Sequence, residues 1–134
     1  MKVPGSKDFT PTRILVIDDE PGFTRMVKLH LEQVGEFEVR QVNNSMRALS
    51  EALDFKPDVI LLDVVMPEAD GGDVAITLRS NSKVKETPIL FISAMVSRKE
   101  AENGMFYSGG ERFLAKPVDM KVLLKCIQNI LEQK

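Results

Sequence analysis

Four charged positions could do chemistry together. Asp18 and Asp19 close one apolar run, Asp63 closes a second, and Lys116 closes a third. The runs are Ile14-Leu15-Val16-Ile17, Val59-Ile60-Leu61-Leu62 and Phe113-Leu114-Ala115. Carboxylates gathered in one place repel one another unless a cation relieves them. Hard dications take oxygen ligands, and Mg2+ keeps several waters and bridges to phosphate oxygens. A lysine opposite the acids supplies positive charge where a transferred phosphoryl group needs it. The residue types therefore predict a rim that needs a divalent cation and can receive a phosphoryl group.

The elements must bring these residues to one place. Short continuous apolar runs rich in β-branched residues read as strands buried on both faces. Such strands alternating with helices form a parallel sheet, whose ligands collect outside the carboxyl ends of the strands. Adjacent strands lie roughly 4.8 Å apart, so carboxylates ending two of them can share one ion. The pattern predicts strands at 13–18, 37–42, 59–63, 88–93 and 112–115. Pro21 opens a first helix and Gly35 ends it. Asn44 or Ser45 caps a second, stopped by Pro57. A third helix is predicted over 73–79, and a weaker fourth from Ser97 to Gly109-Gly110, interrupted by Gly104. A last helix is predicted over 118–132, capped by Asp119. The count is five βα units in one α/β domain over 13–134, after a disordered lead-in over 1–12.

Composition narrows the function classes. The chain has 134 residues, 43% apolar and 28% charged, with a formal net charge of -2. That balance gives no support for direct nucleic-acid binding. No apolar run is long enough to span a bilayer, and the start lacks the apolar core of a signal peptide. A cytoplasmic location away from membranes is the expectation. The single cysteine, Cys126, sits in a helical apolar pattern and reads as a small core residue. The single histidine, His30, lies on the first helix away from the acidic rim.

At four stretches, in order and with suitable spacing, the chain resembles the receiver domains of two-component response regulators. They are Ile14 to Glu20, Leu61 to Pro67, Ile89 to Ala94 and Phe113 to Pro117. The resemblance implies a flavodoxin-like, doubly wound fold with five parallel strands in the order 2-1-3-4-5. It implies a phosphoacceptor signalling domain that takes a phosphoryl group from a histidine kinase. By residue, it makes Asp63 the acceptor. It implies Mg2+ held by Asp18, Asp19, Asp63 and the backbone carbonyl of Val65, with Lys116 as the cationic partner and Ser93 and Phe113 as the switch pair. It also implies a cis Lys116-Pro117 bond.

The implied domain catalyses only its own phosphorylation and dephosphorylation. Its implied partners are a sensor histidine kinase or phosphotransfer protein, and an output domain or protein effector, with a phosphorylation-dependent homodimer. The switched surface is expected on the fourth helix, fifth strand and fifth helix, where Val122, Leu123, Leu124, Ile127, Ile130 and Leu131 exceed one narrow stripe. Val65 and Met95 would flank the path of an attacking water, and neither orients water well, so slow self-dephosphorylation is expected. Two other readings compete. A Mg-dependent phosphohydrolase would need a further acid/base residue, and a non-phosphorylated pseudo-receiver scaffold would not need all of Asp18, Asp19, Asp63, Ser93 and Lys116.

Overall fold

Strands and helices alternate through the computed structural model, which describes residues 10–64, 71–94, 105–108 and 110–133. β1 (Thr12–Ile17) leads into α1 (Pro21–Gln33). β2 (Phe37–Val42) leads through a 3-10 turn (Ser45–Arg47) into α2 (Ala48–Phe55). β3 (Val59–Asp63), α3 (Gly71–Arg79), β4 (Ile89–Ser93), β5 (Met105–Ser108), β6 (Glu111–Ala115) and α4 (Met120–Glu132) follow. The sheet order is β2-β1-β3-β4-β6-β5. Every pairing is parallel except that of β5 with β6. The parallel strands, numbered among themselves, run 2-1-3-4-5, as expected.

Strand alternation divides the core into two layers. Ile14, Val16, Val59, Leu61, Leu90, Ile92 and Leu114 face α1 and α4. Leu15, Ile17, Ile60, Leu62, Ile89 and Phe91 face α2 and α3. Both faces are covered, so β1, β3 and β4 read as unbroken apolar runs. Burying one such Leu or Ile contributes about 1.5–3 kcal/mol relative to leaving it in water. Cys126 is buried in the α1/α4 layer, and His30 is exposed, its Nδ1 2.9 Å from the Met26 carbonyl.

The helix boundaries follow local chemistry. Gly35 takes φ 86° just past α1, a conformation that costs glycine little. The Asn44 side chain accepts from the Met46 N–H, capping the 3-10 turn before α2. Asp119 accepts from the Lys121 and Val122 N–H groups, so α4 starts at Met120, two residues later than predicted. Edge strand β2 is closed from outside by α1. The Val39 N–H donates to Glu32 Oε2 at 3.0 Å, and its carbonyl accepts from Lys28 Nζ at 2.7 Å.

The predicted fourth helix needs correction where it can be compared. Met105–Ser108 is a strand, not helix, and pairs with β6 in a hairpin with Ser108 opposite Glu111. Only Gly109 and Gly110 separate them, and Gly110 has φ 80°. A two-residue glycine loop favours a hairpin, and Phe106-Tyr107 favours a strand. The remainder of that predicted helix lies outside the described residues, as do residues 1–9 of the expected lead-in. The apolar surplus on the last helix is largely core. Leu123, Ile127 and Ile130 are buried, and Val122, Leu124 and Leu131 pack against them.

Candidate functional site

The order of strands reverses between β1 and β3, and in sheets of this kind ligands bind outside the carboxyl ends at that point. Ile17 lies opposite Leu62, so Asp18 and Asp63 are the next residues of neighbouring strands. Asp63 pairs with Ile92, and Ser93 pairs with Ala115, one residue before Lys116. Alternation then sets direction. Asp18, Asp63 and Lys116 continue the rows of Val16, Leu61 and Leu114 toward α1, while Ser93 and Phe113 belong with Phe91 on the opposite face.

Lys116 ties the rim together. Its Nζ donates to Asp18 Oδ2 at 2.7 Å and lies 3.7 Å from Asp63 Oδ2 and 3.4 Å from Glu20 Oε1. Its backbone N–H donates to the Ser93 carbonyl at 2.9 Å, and the peptide to Pro117 is cis, as expected. Asp18 is 1% exposed, Ser93 3% and Asp63 6%. Polar groups this deep in a protein need built partners, because burial without them is costly. Burial pushes the Asp18 carboxyl above its ordinary range, outweighing the hydrogen bonds from Lys116 and the Glu20 N–H that pull it down. For Lys116 burial disfavours the ammonium. The hydrogen bond to Asp18 and the charges of Asp18, Asp63 and Glu20 prevail and raise its pKa.

Carboxylate oxygens of Asp18, Asp19 and Glu20 lie within 4.8 Å of one another, Asp19 half-buried and Glu20 exposed. A hard, all-oxygen donor set beside a buried acid of raised pKa suits a dication such as Mg2+. Val65, whose carbonyl was expected to join this set, lies outside the described residues, as does Met95. The rim is braced by residues that sequence reasoning missed. Asn43 Nδ2 donates to the Asp18 carbonyl at 2.8 Å and to Thr24 Oγ1 at 2.9 Å. Thr24 is fully buried and its hydroxyl donates to the Pro21 carbonyl at 3.2 Å. The strand end and the first turn of α1 are thereby fastened together. An Asn just past a strand carries no signal of this kind. Glu20, adjacent to the acidic pair, could have been read as part of it.

The response regulator receiver domain model matches residues 14–128. The chain belongs to this family. Over 121 residues it is 31% identical to the DNA-binding dual master transcriptional regulator RpaA of Synechocystis, covering 90% of this chain and 49% of that protein. Over 120 residues it is 32% identical to the transcriptional regulatory protein SrrA of Staphylococcus aureus, covering 90% and 48%. The chain thus spans about half the length of these curated relatives. Among solved structures it resembles the chemotaxis protein CheY4 of Vibrio cholerae, with a TM-score of 0.77 and 31% identity, covering 91% of this chain and 100% of that one. The receiver fold is therefore shared, and the domain is a signalling domain of two-component systems. Among the described residues, no helix is long and apolar enough to cross a membrane.

On the other face of this receiver sheet, the Phe91 and Phe113 rings stack with centroids 5.2 Å apart. They line a groove of about 450 Å³ with Val64, Ala75 and Ile76, beside the Arg79–Glu111 ion pair.

Proposed function

We propose that the domain, over 13–134, accepts one phosphoryl group on Asp63 from a histidine kinase or phosphotransfer protein. The observation that carries this reading is the convergence of Asp18, Asp63 and Lys116 at the carboxyl ends of three strands, with Nζ 2.7 Å and 3.7 Å from the two carboxylates. Three oxygen-bearing groups, Asp18, Asp19 and Asp63, with the Val65 carbonyl, would hold Mg2+. When bound, Mg2+ would neutralise the charge of the incoming phosphoryl oxygens.

The chain's own residues do the rest. Asp63 presents a carboxylate oxygen as nucleophile. Lys116 keeps its proton, as its raised pKa requires, and donates to a phosphoryl oxygen. Ser93 donates its hydroxyl to another such oxygen. Phe113, stacked on Phe91, transmits the change by packing alone, since phenylalanine has no hydroxyl. The changed surface, around β6 and α4, then controls an output domain, a protein effector or a homodimer. This would take place in the cytoplasm, without direct nucleic-acid or membrane contact by this domain.

The test is intact mass after treatment with a small phosphodonor. One added phosphoryl group per chain, dependent on Mg2+, is the expected result. No uptake would overturn the reading. Turnover of many phosphodonor equivalents per chain would instead make the protein a phosphohydrolase.

A further inference from the structure

We propose that Phe23 is a positioning residue for Lys116, its ring face holding the ammonium at the rim. The inference rests on the reading of Lys116 as the partner of the phosphoryl group. Lys116 Nζ lies 4.5 Å from the centroid of the Phe23 ring. Cations within about 6 Å of an aromatic centroid are attracted by the ring quadrupole, most strongly where water is excluded. The Lys116 side chain is only 15% exposed.

The ring is held by its helix turn and by the core. Phe23 is the third residue of α1, and its N–H donates to the Glu20 carbonyl at 3.1 Å. It packs against the α1/α4 core layer. Its neighbour Thr24 is fastened to Asn43 and Gln41. That turn of helix cannot swing without breaking these bonds.

The need for such a ring follows from the charges around it. Asp18 is the nearest counter-ion of Nζ, at 2.7 Å. Asp18 also belongs to the acidic group suited to a dication, and a dication there would compete for its charge. The attraction of the carboxylates for Nζ would then weaken just when the lysine must stay in place. A ring quadrupole does not titrate and offers no oxygen ligand to Mg2+, so its pull persists. Leucine would keep an apolar contact with the core, with a smaller side chain, and offer no such face.

The experiment compares the full chain with Phe23→Leu and Phe23→Tyr, after thermal melts establish folding. Side-chain NMR without metal or phosphodonor reads the Lys116 Hε protons, assigned with Lys116→Arg. Ring-current shielding is expected in wild type and Phe23→Tyr and should vanish in Phe23→Leu. With Mg2+ and saturating small phosphodonor, Phe23→Leu should react about 3- to 10-fold more slowly, with unchanged half-saturation, and Phe23→Tyr nearly as wild type. Should Phe23→Leu not fold, Phe23→Met asks the same question. Persistent shielding in the leucine variant, or a wild-type rate there, overturns the proposal. A wild type that takes up no phosphoryl group overturns the functional reading and with it the ring's role in the reaction. The shielding then decides the contact alone.

Discussion

Two groups of charges in this molecule are built on opposite plans. At the carboxyl ends of the strands, Lys116 faces Asp18, Glu20 and Asp63, and the Asp18, Asp63 and Lys116 side chains are 1%, 7% and 15% exposed. Around β2, Arg40 meets Asp54 and Glu51, and Lys28 meets Glu32, with 24–71% of each side chain exposed. The outer pairs are nearly balanced and solvated, so each contributes little. The rim holds more acid than base, deep enough that burial lifts the Asp18 pKa. An arrangement that leaves charge uncompensated in the absence of a ligand is poor for stability alone. It is well suited to receiving a cation and a phosphoryl group.

The sharpest way to break that contrast is Lys116→Met. Removing one partner of a buried pair leaves uncompensated charge and costs about 3–5 kcal/mol. Urea melts should show a loss near that range, partly recovered by excess Mg2+. A loss no larger than that of an outer pair would erase the distinction. Leu61→Ala, in the core directly beneath the rim, should cost about 2–5 kcal/mol with no recovery by Mg2+. Together the two variants separate charge from packing.

A gentler substitution tests the sign. Because the folded Asp18 pKa is raised, the folded state binds more protons than the unfolded one above pH 3.8. Its ionised form therefore opposes folding, and the penalty grows as pH rises through that window. Asp18→Asn should raise the metal-free melting temperature at pH 7 and weaken stabilisation by Mg2+. A lower melting temperature would show that its bond to Lys116 outweighs burial.

The outer pairs should give the smallest effects. The Glu32 pKa is lowered: burial works against this, but bonds from the Val39 N–H and Lys28 prevail. Its stabilisation is present above pH 4.5 and is lost as pH falls through the folded pKa. Discounted for solvent screening, Glu32→Gln should cost roughly 0.5 kcal/mol at pH 7 and less at pH 3. Asp54→Asn, on the most exposed of these carboxylates, should leave the melt unchanged. An effect there matching that of Lys116→Met would contradict the whole comparison.

The two regions also differed in how well the sequence announced them. Val59–Asp63 and Ile89–Ser93 are apolar up to a polar last residue, so strand, burial and rim were all legible. That Asp18 and Asp63 would meet followed from both ending strands of one parallel sheet. The hairpin of β5 with β6 was not legible, because Met105-Phe106-Tyr107 is apolar without a period that separates strand from helix. Glu32 and Lys28 closing the β2 edge, and Asn43 bracing Asp18, are side-chain bonds across 7 to 25 residues. Neither spacing nor composition encodes such partners. In the sequence Phe23 recurs at helical spacing with Val27 and Leu31, and its ring does pack against their core layer. Its contact is with a lysine 93 residues later in the chain, placed there by where β6 ends.

The most direct test of the central claim locates the phosphoryl group. Wild type and Asp63→Asn are treated with a small phosphodonor and Mg2+, and the modified site is mapped at peptide level as a base- and hydroxylamine-labile acyl phosphate. The expected result is one label, on Asp63, and none in Asp63→Asn. A label that persists undiminished in Asp63→Asn would contradict it.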